Sequence, residues 1–192
     1  MNRQGLTFVF VLLVLITSGS ASPSPLAPRK SPEFTIHETS GQTTLLSSLA
    51  GKVVVMEFLF IKSEHCLRVA KTLNKLHSEL GPRGFQPVGI TFDPPNGNTG
   101  AQFVSYMVDY FKLTYPVGYS AKADVDKYLG RTGNEILNIP QVVVIDRAGV
   151  IRAVSGGAGG DPKLEDEDSL RSLINGLLKE GKRPGSRKKP LH

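Results

Sequence analysis

Cysteine is almost absent from this sequence: Cys66 is the only one among 192 residues. One cysteine cannot close an intramolecular disulfide, so a small scaffold stapled by disulfides is excluded. An internal pair of cysteines that opens and closes during turnover is excluded for the same reason. Any disulfide chemistry at Cys66 must therefore use a thiol or a disulfide that comes from outside the chain.

Metal-ligand spacings and phosphate-binding loops are also lacking. The four histidines and the cysteine show no close ligand spacing. His65 and Cys66 with Met56 would offer soft ligands for copper, but adjacent residues rarely point into one site. No glycine-rich loop follows the first strand, and the glycines of 156–160 come after a hairpin rather than opening a helix. We therefore expect neither a metal nor a cofactor.

Residues 1–21 have the pattern of an export signal. Arg3 precedes an apolar run from Leu6 to Ile16, and small residues ending at Ala21 provide a cleavage point. The run is shorter than the ~20 apolar residues that a membrane span needs. An uncleaved N-terminal anchor is the alternative. Either interpretation places the domain outside the cytoplasm, in a periplasmic or extracellular location, and it is membrane-tethered only if the signal is not cleaved.

One domain is predicted between two irregular segments. Residues 22–32 carry four prolines and predict a linker. Residues 33–180 form the domain, and the chain as a whole is 40% apolar and 21% charged, as globular proteins are. Residues 181–192 predict a disordered basic tail. This tail lacks interleaved aromatic residues, so we expect it to be solvated rather than bound to nucleic acid; contact with anionic lipid is the alternative.

Strand and helix patterns alternate along the domain. The apolar run Val53–Ile61 is typical of a central strand that is buried on both faces. The next segment, Ser63–Leu80, has apolar residues at helical spacing and ends at Pro82 and Gly84. Further strands are predicted at 34–37, 85–92, 115–117, 141–146 and 150–154, and further helices around 103–110, 125–129 and 164–178. This alternation, closed by one hairpin, predicts an α/β fold with a mixed sheet.

Cys66 lies where the predicted central strand gives way to the predicted helix. A thiol ionises more easily at a helix start, because amide N–H groups and the helix dipole stabilise its negative charge. Lys62, His65 and Arg68 add basic groups nearby. The alternative is an inert cysteine that packs as a small apolar side chain. Ser63 is a favoured N-cap residue on either interpretation.

Four segments in order resemble the thioredoxin-fold redoxins, in particular the TlpA-like thiol-disulfide proteins and the AhpC/TSA peroxiredoxin group. These segments are an opening hairpin at 34–52, a strand before the active site at 53–58, the next strand at 85–93, and a proline-containing strand with its hairpin at 139–152. The resemblance implies a thioredoxin-like fold: a central mixed β-sheet flanked by helices, with an N-terminal β-hairpin extension.

The active-site motif departs from that of the family. Its dithiol members carry Trp-Cys-x-x-Cys, whereas this chain has Ser63 at the first cysteine position and Cys66 at the second. The Ser-x-x-Cys pattern is also similar to the peroxiredoxin motif, in which the hydroxyl lies near the peroxide that the cysteine attacks. However, Leu59 replaces the proline of that motif, and Pro140 stands where the peroxiredoxins have an arginine.

Four further residues are candidates for the site. Glu57 matches the family's buried acid, which would exchange protons with the thiol; alternatively, its carboxylate points out of the strand or pairs with a lysine. His65 would donate to the thiolate or change its charge near neutral pH, or it is simply solvated. The resemblance implies a cis bond between Ile139 and Pro140, beside which an extended substrate pairs with the backbone; a purely structural role is the alternative.

Two functions are compatible with these residues. The first is an exported single-cysteine redoxin, a thiol-dependent oxidoreductase or antioxidant: Cys66 reduces a peroxide or exchanges with a partner protein's disulfide, and an external thiol restores it. The second is a catalytically inactive module that binds an extended peptide or partner protein at the cis-proline groove. A partly exposed Cys66 favours the first function, and a fully buried one favours the second. We expect a monomer that binds no nucleic acid and is not inserted in the membrane once the signal is removed.

Overall fold

A computed structural model describes residues 27–92, 100–132, 136–156 and 160–180 of the chain. Within these residues it contains one eight-stranded sheet. The strands are β1 (Arg29–Lys30), β2 (Thr35–Glu38), β3 (Thr43–Leu45), β4 (Val53–Leu59), β5 (Phe85–Phe92), β6 (Val117–Ser120), β7 (Gln141–Ile145) and β8 (Val150–Val154). The helices are α1 (Glu64–Leu80), α2 (Gly100–Phe111), α3 (Lys122–Leu129) and α4 (Glu167–Glu180).

The strands follow the order β1-β8-β7-β4-β5-β6-β2-β3 across the sheet. β4, β5 and β6 run parallel, whereas β7 is antiparallel to β4, so the sheet is mixed. β7 and β8 form the closing hairpin, and β2 and β3 form a hairpin near the opposite edge. The predicted mixed sheet with flanking helices and an N-terminal hairpin is confirmed.

β4 forms the centre of the sheet and is buried along its whole length. It lies between β5 and β7. Its alternate side chains enter two different cores: Val53 and Val55 pack on one face, and Val54 and Met56 pack on the other. The prediction of a strand that is buried on both faces is therefore confirmed for Val53–Leu59, whereas Phe60 and Ile61, at the end of the predicted run, lie beyond the strand.

The helices divide between the two faces of the sheet. α1, α2 and α4 contribute buried residues to the core that contains Val53 and Val55. α3 covers the opposite face, where Tyr128 packs with Phe34 and Phe58. The end of β4 thus leads directly into α1, which packs on the core that contains Val53 and Val55. Cys66 lies at this junction between β4 and α1.

Both ends of α1 have clear local causes. The hydroxyl oxygen of Ser63 accepts a hydrogen bond from the backbone N–H of Cys66 at 3.3 Å, which makes Ser63 the N-cap. At the other end the chain turns through Gly84, whose φ of +97° is a conformation that glycine adopts without strain. The apolar spacing of the helix places Leu73 and Leu76 in the core.

The N-terminal boundary of the ordered chain differs from the prediction. Arg29 and Lys30, which composition assigns to the linker 22–32, form β1 and pair with β8. Residues 31–34 then carry the chain from this edge of the sheet to β2 near the other edge. A hydrogen bond of 2.8 Å from Arg29 to the Tyr128 carbonyl holds this crossing against α3. Strand pairing here overrides the proline-rich composition.

Two other boundaries shift by a few residues. The strand predicted at 115–117 begins at Val117, and the last helix begins at Glu167 because Pro162–Glu165 form a separate 3₁₀ turn. The predicted signal, the basic tail and the loop that begins at Asp93 lie outside the described residues. No helix in the described ranges is both long enough and apolar enough to cross a bilayer.

Truncation of Phe58 should destabilise the fold strongly. Its side chain is fully buried and packs against Phe34 and Tyr128, with 5.8 Å between ring centroids in each pair. Phe58→Ala should lower the free energy of unfolding by about 3–5 kcal/mol in urea titrations. Tyr106→Ala is the matched control, since Tyr106 is 61% exposed, and it should change that free energy by less than about 0.5 kcal/mol. Similar losses in the two variants would contradict this description of the core.

Candidate functional site

The candidate site lies at the turn where β4 ends and α1 begins. The backbone N–H of Ser63 donates to the Phe60 carbonyl at 3.0 Å, which closes this turn. Cys66 lies in the first turn of α1 with a free thiol and an exposed fraction of 0%. The backbone N–H of Phe60 donates to the Cys66 sulfur at 3.5 Å. The structure therefore brings Ser63 and Cys66 together, but holds the sulfur beneath the surface.

Burial governs the acidity of this thiol. Removal from water disfavours the thiolate and raises the pKa of Cys66 above its ordinary value of 9.0. Hydrogen bonds from the Ser63 hydroxyl and the Phe60 N–H act in the opposite direction, and the charge of Glu57 adds to the rise of the pKa. Burial outweighs the helix-start position that favours ionisation, so Cys66 is a protonated thiol at neutral pH.

Glu57 is an acid enclosed in the core. Its side chain is 0% exposed, and neither carboxyl oxygen has a hydrogen-bond partner among the described residues. Desolvation raises the pKa of Glu57 well above its ordinary value of 4.5, and the charge of Glu165 raises it further. Alternation along β4 puts Glu57 on the same face as Val55 and Leu59, which share a core with Cys66. Its burial matches the acid that the resemblance implies; proton exchange with the thiol stays a prediction.

His65 is directed to a partner that the sequence did not reveal. Its Nε2 atom lies 3.0 Å from a carboxylate oxygen of Glu165, in the 3₁₀ turn before α4. This nitrogen is therefore engaged by Glu165 rather than by the thiol. Sequence reasoning missed Glu165 because nothing in the acidic run 165–168 connects it to a histidine a hundred residues earlier.

The proline-containing segment lies beside the same turn. Ile139 and Pro140 are joined by a cis peptide bond, as the resemblance implies. The antiparallel ladder of β4 and β7 pairs Phe58 with Gln141. One further step along this register sets Pro140 beside Leu59. The cis bond therefore faces the end of β4 that leads into the Cys66 turn.

Apolar side chains are exposed around this turn. Phe60 is 44% exposed, and its ring lies against Phe92 with 4.8 Å between centroids. Ile136, just before the cis bond in sequence, is 87% exposed. Neither residue is predictable from the sequence, because no pattern tells which apolar residue at a strand end or in a loop stays uncovered. Phe60 gives the turn after β4 an apolar side chain that a second molecule can contact, and Ile136 exposes another in the segment that leads to the cis bond.

The described ranges contain no group of three or more His, Cys, Asp or Glu residues that could hold a metal ion. Cys66 and His65, the residues weighed for copper, diverge: the thiol faces the core and the imidazole faces Glu165. The groups that the described site offers are a buried thiol, a buried carboxyl group and a capping hydroxyl.

Replacement of Glu57 by glutamine should stabilise the protein in a pH-dependent manner. The pKa of Glu57 is higher in the folded state than its ordinary value of 4.5. Protonated Glu57 therefore contributes its full stabilisation below pH 4.5, and this stabilisation is lost as the pH rises through the folded-state pKa. Glu57→Gln should equal the wild type at about pH 4 and exceed its free energy of unfolding by up to about 1.4 kcal/mol per pH unit above that. Urea titrations across a pH series measure the difference.

Glu64→Gln is the matched control for this series, since Glu64 is exposed in the first turn of α1. It tests whether the loss of any carboxylate near the site makes the stability difference grow with pH. Equal growth in the two variants would contradict a buried, neutral Glu57.

Solved structures of several bacterial proteins are similar to this chain. A solution structure from Bacteroides thetaiotaomicron, provisionally named a protein disulfide isomerase, is 28% identical with a TM-score of 0.63, over 80% of this chain and 91% of that chain. A thiol:disulfide interchange protein of the thioredoxin family from Chlorobium tepidum TLS is 20% identical with a TM-score of 0.62, over 79% of this chain and 97% of that chain. The thioredoxin domain of a thiol-disulfide oxidoreductase from Bacteroides vulgatus is 20% identical with a TM-score of 0.60, over 79% of this chain and 100% of that chain.

These likenesses confirm the thioredoxin-like fold. A search of curated proteins found no match. The family model of the AhpC/TSA family matches residues 28–154, which span most of the domain and include the Cys66 turn and the cis-proline strand. The chain therefore belongs to the AhpC/TSA family, it has a thioredoxin-like fold, and it carries a single cysteine.

Proposed function

We propose that this domain is a binding module that holds an extended segment of a partner protein beside the cis Ile139–Pro140 bond, without turnover at Cys66. The observation that carries the proposal is the complete burial of Cys66. A reactive cysteine needs both access to its substrate and a populated thiolate. Burial blocks access of a substrate to the Cys66 sulfur. It also raises the pKa of the thiol, so that little thiolate is populated.

The position of the missing nucleophile supports the same proposal. Ser63 occupies the place of the exposed cysteine in the dithiol members of the family. Its hydroxyl oxygen already accepts the Cys66 N–H as the cap of α1. Among the described residues, the imidazole next to this serine in the first turn of α1 is that of His65, and it is paired with Glu165 rather than placed to activate the Ser63 hydroxyl.

The apolar surface around the turn supports the choice of partner. An extended segment can pair its main chain with an uncovered stretch of backbone and place alternate side chains in contact with the surface below. Phe60 is an exposed apolar side chain in the turn after β4, and Ile136 is another in the segment that leads to the cis bond. A few side chains carry most of the binding energy of a protein interface, and an aromatic residue such as Phe60 is a candidate for one of them.

A single-thiol redox function is the second candidate, and Glu57 favours it. A buried carboxyl without a partner costs free energy, so the fold tolerates it at the expense of stability. On this hypothesis the carboxylate form of Glu57 accepts the thiol proton, and the Cys66 thiolate attacks a sulfur of a partner's disulfide. One sulfur of that disulfide leaves as a thiolate, and the other stays bound to Cys66 in a mixed disulfide. An external thiol then attacks the partner's sulfur in the mixed disulfide, which frees Cys66 as a thiolate and leaves the external sulfur in a disulfide with the partner's sulfur.

We further propose that the protein is exported and acts as a monomer. The apolar run of residues 6–16, its positive start and the small residues before 22 support an export signal. Its partner would then be another protein outside the cytoplasm, and a redox function would draw its reducing thiol from the same compartment.

Photo-crosslinking should locate the binding surface. Benzoylphenylalanine placed at Phe60 or at Ile136 in producing cells should yield a discrete adduct with a partner protein, because both side chains are exposed, Phe60 in the turn after β4 and Ile136 three residues before Ile139. Tyr106 is the matched control, since it is an aromatic residue with 61% exposure on the outer side of α2. The adducts should persist in the Cys66→Ala background. Loss of the adducts in that background, with the circular dichroism spectrum unchanged, would contradict a binding function independent of the thiol.

The thiol itself should react slowly with small reagents. Because the pKa of Cys66 is raised above 9.0, its alkylation by iodoacetamide should still be accelerating as pH passes that value. The same chain unfolded in guanidinium is the control and should react faster at every pH. Dimedone should trap no sulfenic acid on the folded protein at modest peroxide. Rapid alkylation at neutral pH, or a dimedone adduct, would overturn the binding-module proposal in favour of the single-thiol redoxin.

A further inference from the structure

A polar cleft lies between β2 and α3, on the side of the sheet opposite the core that contains Cys66. Its volume is about 390 Å³, within the range of roughly 300–1,000 Å³ that small-molecule sites occupy. Thr35, Asp124 and Lys127 are among its lining residues. None of the functions above uses this cleft.

The hydrogen-bond pattern of β2 determines which main-chain groups face the cleft. In the β2–β3 hairpin the N–H of Glu38 donates to the carbonyl of Gln42. Successive residues of an antiparallel strand direct their main-chain groups to opposite neighbours. The N–H and carbonyl groups of Thr35 and His37 therefore point away from β3, toward β6.

β6 supplies a partner for only one of these two residues. His37 pairs with Tyr119, and the same register would pair Thr35 with Ala121. Ala121 has already left the strand: it caps α3, and its carbonyl accepts the N–H of Asp124. Among the described residues no backbone hydrogen bond joins Thr35 to Ala121. Thr35 thus directs one donor and one acceptor into the cleft where the ladder lacks one residue.

Charges of both signs surround this gap. Asp124 and Lys127 lie one turn apart on α3, and neither forms an ion pair with another described residue. Glu33 also lines the cleft, but backbone N–H groups of Phe34 and Ser47 hold its carboxylate at 3.0 Å each. Asp124 and Lys127 are therefore the acidic and basic groups free to meet a ligand.

We propose that this cleft binds the zwitterion of an α-amino acid, which supplies the residue that the ladder lacks. Its ammonium group donates to the Thr35 carbonyl and faces Asp124. Its carboxylate accepts from the Thr35 N–H and faces Lys127. A ligand with one donor and one acceptor on a single α-carbon reproduces the two hydrogen bonds of a paired strand residue, and the two free charges reinforce them.

An NMR titration of the ¹⁵N-labelled full chain with L-alanine tests the proposal. The amide signal of Thr35 should shift and saturate. N-acetyl-L-alanine and L-alaninamide each lack one charge and should bind at least about tenfold more weakly. Lys127→Gln and Asp124→Asn should each weaken L-alanine binding by about three- to tenfold, as expected for loss of one partly exposed charge pair. Lys179→Gln, an exposed control on α4, should bind as the wild type does.

The outcomes that overturn the proposal are equally definite. They are an unmoved Thr35 amide at about 50 mM L-alanine, equal affinity for the acetylated or amidated probe, or wild-type affinity in both charge variants. Urea titrations of each variant confirm that it is folded before its affinity is compared. Because Cys66 and the cis bond take no part, failure here leaves the proposed partner-binding function intact.

Discussion

The central strand β4 is buried along its whole length, and it carries Glu57 into the core with it. Burial at that position raises the pKa of Glu57 well above its ordinary value, because a lone carboxylate in an apolar interior costs several kcal/mol. The thiol of Cys66 belongs to the same core and is subject to the same constraint. Two groups whose chemistry depends on charge are thus held neutral by packing. The acidity at this site is a consequence of how the sheet and α1 bury it.

The Ser63 position shows how a redox site can become a structural junction. A hydroxyl caps α1 and leaves the backbone turn between β4 and α1 closed, so the fold at this point needs no thiol. What persists is the geometry around the turn: the cis bond next to the strand end and the uncovered side chain of Phe60. A thioredoxin-like fold can therefore keep the cis bond and an exposed aromatic side chain beside this turn with serine at the first cysteine position.

The sequence predicted those parts of the molecule that depend on local pattern. The run Val53–Ile61 and the helix after Ser63 follow from apolar periodicity and a capping residue, and the cis bond at Pro140 follows from the family resemblance. Contacts between distant segments were not predictable. The pairing of His65 with Glu165 and of β1 with β8 depends on which elements the fold brings together, and no single sequence carries that information. The burial of Cys66 also depends on the side chains that cover it.

The crossing from β1 to β2 has a geometric consequence for the whole sheet. Six inter-strand steps separate these two strands in the sheet order, which in a flat sheet would place them about 29 Å apart. Only five residue-to-residue steps lead from Lys30 to Thr35, and they reach about 18 Å at most. The sheet must therefore curl toward the α3 side until its two margins approach one another. Residues 31–34 thus limit how far apart β1 and β2 can lie and so set the curvature of the sheet. α3 lies on the concave side of the curved sheet.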